Sequence, residues 1–262
     1  MRYEIRLPEH AKSFVVQHGK STRQRRFDDF SDLLEKKIQK KFTSEQDDLY
    51  NAALILYKSV ANFDAVIYQE ALAQLDTLNP KTDETYYGRD AYWLYIARKA
   101  EQLQLPLSQR RRITYLFANE DLLEQPELDE YLRQHHVGPN SRHIDVGLHG
   151  TTAKEIIRRF AIQEKVENTP EYIHDRIALL AALDKNDNPL TQEANNPDGT
   201  EVRQILESRS RHIIKPTKFL RRNHILHTNV AFLSPEDEIL AWTIRQAITR
   251  TLLFSNTENS SH

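Results

Sequence analysis

The sequence contains no cysteine, and this absence excludes several kinds of chemistry. Disulfide frameworks, thiolate nucleophiles and cysteine-ligated zinc are all ruled out. The chain has 262 residues, which is enough to bury a hydrophobic core without a disulfide or a structural metal. The missing cysteine does not decide the cellular compartment, because secreted proteins can also lack it.

Long hydrophobic runs are missing as well. No stretch approaches the roughly 20 apolar residues of a membrane helix, and charges interrupt the apolar residues of the first 20 positions, unlike those of a signal peptide. We therefore expect a cytoplasmic protein with no membrane partner, while delivery as a secreted effector stays open. A net charge of −2 argues against a surface that binds nucleic acid over its whole extent.

What is present predicts an α/β fold with a central, mainly parallel sheet and flanking helices, preceded by a helical N-terminal region. In residues 1–80, helical spacing of apolar side chains predicts mostly helix, for example at Phe27, Phe30, Leu33, Leu34 and Ile38. Between 81 and 190, short apolar runs alternate with helical patterns, which is typical of βαβ units. The predicted strands lie in "TYYGRD", "RITYLFANE", "RHIDV" and "HDRIALLAAL". Residues 191–262 are predicted as a basic loop region and a C-terminal helix, capped by Ser234 and packed on the core.

Glycine is scarce, since only six occur in the chain, yet two stand three apart in "RHIDVGLHGTT". A predicted strand runs into Gly147 and Gly150, and a helical pattern follows. Thr152 and Glu155 have the spacing of a capping box, which predicts that the helix begins at Thr152. A strand that leads through a glycine loop into a helix N-terminus is the geometry that binds phosphate. The alternative is a tight turn that binds nothing.

Two well-known phosphate loops do not fit. "HGKST" at 18–22 resembles the end of a P-loop, but Phe14 stands where that motif needs glycine. The dinucleotide motif G-x-G-x-x-G has a further glycine two residues before the pair that is spaced three apart. No glycine stands two residues before Gly147.

"IDVGLHGTT" resembles the phosphoribosyl pyrophosphate loop of type I phosphoribosyltransferases. Asp145 stands in the second acidic position of that loop, Gly150 in its glycine position and Thr152 in its final threonine position. Upstream, Gly88 and Arg89 resemble the loop that contacts pyrophosphate in that family. Residues 119–141 would occupy the place of the family's mobile hood. The likeness covers roughly residues 80–185.

The resemblance implies roles for individual residues. Asp145 would orient the ribose and is the candidate metal ligand, and Arg89 would neutralise the departing diphosphate. The 5′-phosphate would lie against the loop formed by Gly147, Leu148, Gly150, Thr151 and Thr152. His149 is a candidate to pair with the anion or to act as a general acid. The open alternatives are a surface arginine at a helix end for Arg89, a turn-forming carboxylate for Asp145 and a loop histidine without catalytic duty for His149.

The resemblance also implies Mg²⁺ as a cofactor, held largely by the diphosphate and the sugar hydroxyls. This would agree with the preference of Mg²⁺ for a few carboxylates plus phosphate oxygens. The expected partner is a small phosphorylated sugar or nucleotide. No motif in the sequence identifies the acceptor substrate, which would receive the phosphoribosyl group. Whether the chain forms a homo-oligomer stays open.

Two features keep a second function class open. Ile144 stands where the family carries its first acid, which favours a non-catalytic regulatory or binding protein on the same fold. The basic stretch Arg203–Arg222 is a candidate site for nucleic acid or an acidic partner. Its alternative role is to balance the acidic segment at 120–130.

Overall fold

The structure is a computed structural model of the whole chain. The residues it describes are 20–44, 46–78, 83–117, 120–146, 150–179, 208–211, 213–214, 218–228 and 231–254. Gly147, Leu148 and His149 therefore lie outside the described residues, as does most of the stretch from 180 to 217.

The described part of the N-terminal region, residues 20–44 and 46–78, is mainly helical, as predicted. Helix α1 covers Lys20–Lys41, and α2 (Asp47–Ser59) continues through a π-helical segment (Val60–Asp64) into α3 (Ala65–Leu78). Phe30, Leu34 and Ile38 of α1 are buried, which confirms the predicted apolar face. Leu33, predicted on the same face, is 42% exposed.

A four-stranded parallel sheet forms the centre of the structure and confirms the four predicted strands. The strands are β1 (Glu84–Tyr87), β2 (Ile113–Leu116), β3 (Arg142–Asp145) and β4 (Ile177–Leu179). Their order in the sheet is β2-β1-β3-β4, so the chain moves outward from β1 to β2 and then returns to the other side of β1. The fold is therefore mixed α/β, and its sheet is small.

Helices cover both faces of the sheet. After β1 come α4 (Tyr92–Gln104) and a 3₁₀ turn (Leu107–Gln109). The connection from β2 to β3 contains α5 (Glu120–Leu123) and α6 (Leu128–Gln134), and β3 is followed by α7 (Thr151–Glu164) and α8 (Pro170–His174). Because parallel crossovers are right-handed, the reversal of strand order puts α4 on one face and α6 and α7 on the other.

The two hydrophobic clusters match these two faces. The larger core contains side chains of α1, α2, α3, α4 and the last helix, α9 (Pro235–Phe254), together with one face of the strands. The smaller core contains side chains of α6 and α7 and the other face of the strands. The larger core thus includes residues of all three predicted regions, and the division at 80 and 190 stays a prediction.

The connection between β2 and β3 is part of the packed structure. Leu122, Leu128, Tyr131 and Leu132 of α5 and α6 are all buried. The described residues of the segment predicted as a mobile hood therefore form a crossover layer against the sheet.

The C-terminal part adds short strands and a capped helix. These strands are β5 (Ile213–Ile214), β6 (Leu220–Arg222), β7 (Ile225–His227) and β8 (Ala231–Phe232). Strands β6 and β7 form a hairpin that packs on α6, and β5 pairs with β8. Ser234 Oγ accepts a hydrogen bond of 3.1 Å from the Asp237 amide, which confirms the predicted cap of α9. No described helix has both the length and the apolar character to cross a membrane.

A buried ion-pair network holds the amino end of β1. The Arg98 guanidinium donates to both carboxylate oxygens of Glu84, at 2.9 and 3.0 Å, and to both oxygens of Asp76, at 3.0 and 3.1 Å. Arg111 also donates to Glu84, at 2.8 Å, and the Tyr86 hydroxyl donates to it at 2.7 Å. The network therefore ties β1 to α3, to α4 and to the residues before β2.

We expect Arg98→Leu to lower the free energy of unfolding by about 3 to 5 kcal/mol, because it leaves the buried Glu84 carboxylate with Arg111 as its remaining cationic partner among the described residues. Denaturant unfolding would measure the loss. The control is Arg158→Leu, which removes an exposed pair with Glu155 on α7 and should cost much less. Equal losses for the two variants would show that the network contributes no more than a surface pair.

Candidate functional site at the carboxyl ends of β1 and β3

The site predicted from the glycine loop lies where the strand order of the sheet reverses. Strands β1 and β3 are parallel neighbours, and Tyr87, the last residue of β1, is paired with Asp145, the last residue of β3. The chain leaves these two strands toward opposite faces of the sheet. In open α/β sheets, such a reversal opens a crevice at the carboxyl ends of the strands, and ligands bind there.

The loop after β1 is fixed by its main chain. Gly88 has a φ of 72°, in the left-handed region that favours glycine. Its amide donates to the Leu116 carbonyl at 3.1 Å, and its own carbonyl accepts from the Tyr115 hydroxyl at 3.0 Å. Both contacts come from β2, so the neighbouring strand sets the direction of the loop.

Arg89 lies on this loop, at the carboxyl end of β1. Its side chain is 29% exposed, and Nε donates to the Asp90 carboxylate at 3.2 Å. Its Nη atoms have no hydrogen-bond partner among the described residues. Its carbonyl accepts from the Tyr92 amide at 3.3 Å and from the Ser210 hydroxyl at 3.2 Å. The Arg89 carbonyl thus accepts two hydrogen bonds, one from α4 and one from Ser210.

The loop after β3 ends in a helix N-terminus, as predicted, but with a different start. Helix α7 begins at Thr151, and its N-cap is Gly150, whose φ of 59° is left-handed. The predicted capping box is wrong, because Thr152 already lies inside the first turn and Glu155 pairs with Arg158. The left-handed N-cap explains the glycine better than a capping box does, since a Cβ is disfavoured in that conformation.

The first turn of α7 suits an anion. No side chain caps it, and it contains no acidic residue. The first amides of a helix have no partner within the helix, and the helix dipole places partial positive charge at this end. Thr151, the first residue of the helix, is exposed, and Thr152 is half-buried.

Asp145 stands on the same sheet face as two buried polar side chains. The Tyr87 hydroxyl and His143 Nδ1 share a hydrogen bond of 2.5 Å. Burial raises the pKa of Tyr87, and the charge of Asp145 raises it further. Burial also lowers the pKa of His143 to about 3, so its ring is neutral near pH 7. Tyr87 and His143, which share this sheet face with Asp145, are therefore polar but uncharged near pH 7.

The structure brings five predicted site residues to one edge of the sheet. They are Arg89, Asp145, Gly150, Thr151 and Thr152. Gly147, Leu148 and His149 belong to the same connection but lie outside the described residues. Among the described residues, no group of three or more His, Cys, Asp or Glu side chains could hold a metal ion.

The residues behind the Arg89 loop were not predicted. Ser210 contacts the loop from 121 positions further along the chain, and its neighbour Arg209 bonds to Asp64. No local sequence pattern marks such contacts. His143 did have a signal. It alternates with Asp145 along a predicted strand, so period-two spacing places both on one face.

Two arginines in the described part of the basic stretch Arg203–Arg222 form ion pairs with other segments of the chain. Arg209 pairs with Asp64, at 2.7 Å between Nε and Oδ2. Arg221 makes two hydrogen bonds of 2.8 Å to Glu130, in the acidic segment of α6. Glu130 is therefore balanced by Arg221, as the alternative role of the stretch requires.

Comparison with known proteins gives no assignment. No family model, curated protein or solved structure matches the chain.

We expect the neutral state of His143 to make stability fall with acid. Its folded pKa is about 3 against 6.5 for a free histidine, so below pH 6.5 the unfolded state binds a proton that the folded state does not. Stability should therefore fall as pH drops from 6.5 toward 3, with a slope from this residue of at most about 1.4 kcal/mol per pH unit.

His143→Asn tests this slope, because the amide can bond Tyr87 but does not titrate. The variant should lose less stability than the wild type between pH 6.5 and 4.5, measured by urea unfolding at each pH. Tyr87→Phe is the control, since it keeps the imidazole and should keep the slope. If stability depends on pH equally in His143→Asn and in the wild type, His143 is not the cause of the loss of stability in acid.

Proposed function

We propose that the protein is a phosphoribosyltransferase-like enzyme that binds phosphoribosyl pyrophosphate, or a related sugar phosphate or nucleotide, through the Asp145–Thr152 loop. The observation that carries the proposal is the meeting of two anion-binding elements at the strand reversal. Arg89 follows β1 and the uncapped start of α7 follows β3, and these strands are neighbours. An extended ligand with phosphate at both ends matches two such elements better than it matches one.

The roles follow from the chemistry of each group. Backbone amides at the start of α7, together with Thr151 and Thr152, would hold the 5′-phosphate. Asp145 would accept hydrogen bonds from the ribose hydroxyls at the end of β3. Arg89 would bind the diphosphate as a planar cation with several donors. His149 stays a candidate second contact to the phosphate or a general acid.

In the proposed reaction, the bond between the sugar C1 and the diphosphate oxygen breaks, and pyrophosphate leaves with the electron pair. A bond forms between C1 and a nucleophilic atom of the acceptor, which loses a proton. Charge builds up on the leaving group while the sugar becomes cation-like. The chain's own groups would contribute by orienting the sugar and stabilising that charge.

The residues at the edge fit Mg²⁺ only if most of its ligands come from the substrate. Asp145 is one carboxylate at the end of β3, and the described residues offer no larger ligand group. Mg²⁺ commonly binds to one or two carboxylates and to substrate phosphates. When bound, it would neutralise the diphosphate, and Asp145 would be the protein's contribution to holding it.

One observation favours a non-catalytic protein on the same fold. Ile144 is fully buried in the larger core, on the sheet face opposite Asp145. The family resemblance implies the first of two adjacent acids at position 144. A buried side chain in the hydrophobic core is an unsuitable place for that carboxylate. A protein that binds a phosphorylated ligand for regulation needs the phosphate contacts but not a full set of catalytic acids.

We expect Gly150→Ala to weaken binding of phosphoribosyl pyrophosphate with Mg²⁺ at least tenfold in calorimetry. A Cβ at a left-handed N-cap costs about 1 to 2 kcal/mol and shifts the amides that face the phosphate. Gly138→Ala is the matched control, because a Cβ there meets no atom within 4 Å. If both variants bind as the wild type does, the loop does not hold the ligand.

A second pair of variants separates the sugar from the diphosphate. Arg89→Gln should weaken binding of both phosphoribosyl pyrophosphate and inorganic pyrophosphate, by about tenfold or more for a lost charged hydrogen bond. Asp145→Asn should weaken only the former, because pyrophosphate has no ribose. Asp175→Asn, at an exposed turn after α8, is the control and should change neither affinity.

Two results would contradict the enzyme. Ligand binding without pyrophosphate release from any acceptor would favour the regulatory alternative. RNA retention that weakens with salt, without any sugar-phosphate binding, would favour a nucleic-acid-binding protein.

A further inference from the structure

The π-helical segment Val60–Asp64 places a carboxylate inside the structure. It interrupts an otherwise continuous helix from α2 to α3, and such segments occur frequently at functional sites. Asp64 is its last residue, and its side chain is 3% exposed. A carboxylate at this depth needs a partner of opposite charge.

Arg209 supplies that partner from the other end of the chain. Its Nε donates to Asp64 Oδ2 at 2.7 Å, and Nη2 donates to Asp64 Oδ1 at 3.3 Å and to Ser59 Oγ at 3.1 Å. A planar guanidinium held at three points has a fixed orientation, which a single contact would not give. The position of residue 209 is therefore set by α2 and the π-helical segment.

Ser210, the residue after Arg209, connects this segment to the Arg89 loop. It is fully buried, and its hydroxyl donates to the Arg89 carbonyl at 3.2 Å. The same carbonyl accepts the Tyr92 amide at 3.3 Å, close to the first turn of α4. The Arg89 carbonyl is thus held by α4 and by a side chain from a distant segment.

We infer that Asp64, Arg209 and Ser210 are positioning residues for the Arg89 loop. We call these three side chains, with Ser59, the brace. The brace does not touch a ligand. It fixes the backbone of Arg89. Because the position of the Arg89 side chain depends on that backbone, the brace also affects how tightly the site binds a diphosphate. The last step rests on the proposed function, whereas the restraint on the loop does not.

Ser210→Ala is the mildest test, because it removes one hydroxyl and little volume. In the full chain, hydrogen exchange of the amides of residues 88–92 should become about threefold to tenfold faster, as for one lost hydrogen bond. Calorimetry with inorganic pyrophosphate and Mg²⁺ should show a weakening of similar size. Arg209→Leu should have a larger effect on both, and Arg209→Lys, which keeps the charge, a smaller one.

Thr243→Val is the matched control. It also removes a buried hydroxyl that donates to a carbonyl, that of Ile239 within α9, at 2.9 Å. The control should lower the melting temperature about as much as Ser210→Ala does, without changing the exchange of residues 88–92 or the affinity for pyrophosphate. A general loss of stability would instead change both variants alike.

The outcomes separate the two proposals. Unchanged exchange of residues 88–92 in Ser210→Ala overturns the positioning role, whatever the ligand does. Faster exchange with unchanged pyrophosphate affinity confirms the restraint but overturns its effect on the site. Absence of pyrophosphate and phosphoribosyl pyrophosphate binding in the wild type overturns the proposed function, and the exchange result still decides the positioning role.

Discussion

The parallel pairing of β1 with β3 is the constraint on which the rest of the structure depends. Because β2 lies on the other side of β1, the chain must cross back over the sheet before it forms β3. This return sends the connections after β1 and β3 to opposite faces. In open α/β sheets, ligands bind at such a reversal, so the position of the candidate site follows from the strand order.

The two ends of β1 differ in how completely their charged side chains are paired. At the amino end, both carboxylate oxygens of Glu84 accept hydrogen bonds from arginines of α4 and of the segment before β2. At the carboxyl end, Arg89 keeps unused donors among the described residues and α7 starts without a cap. A network in which every charge is paired stabilises the fold. A site for an anion needs donors whose pairing is incomplete until the ligand arrives.

The sequence predicted those parts of the fold that depend on neighbouring residues. The four strands, the turn at Gly88 and the cap at Ser234 each follow from a few adjacent side chains, and the structure contains them. The predicted capping box at Thr152 was wrong because spacing cannot distinguish it from a glycine N-cap that makes Thr151 the first helical residue. The sheet edge of the candidate site was predictable in the same local sense, since its loops directly follow two predicted strands.

Contacts between distant segments were beyond such patterns. Arg209 was grouped with a basic stretch by composition, yet it lies against Asp64, 145 positions earlier. Charge alone could not show this, because a buried pair and a solvated surface have the same sequence signature. The pairing changes how the C-terminal third is understood. Its residue 210 bonds to the Arg89 loop and its residue 209 to the N-terminal helices, so the geometry of the Arg89 loop depends on segments from both ends of the chain.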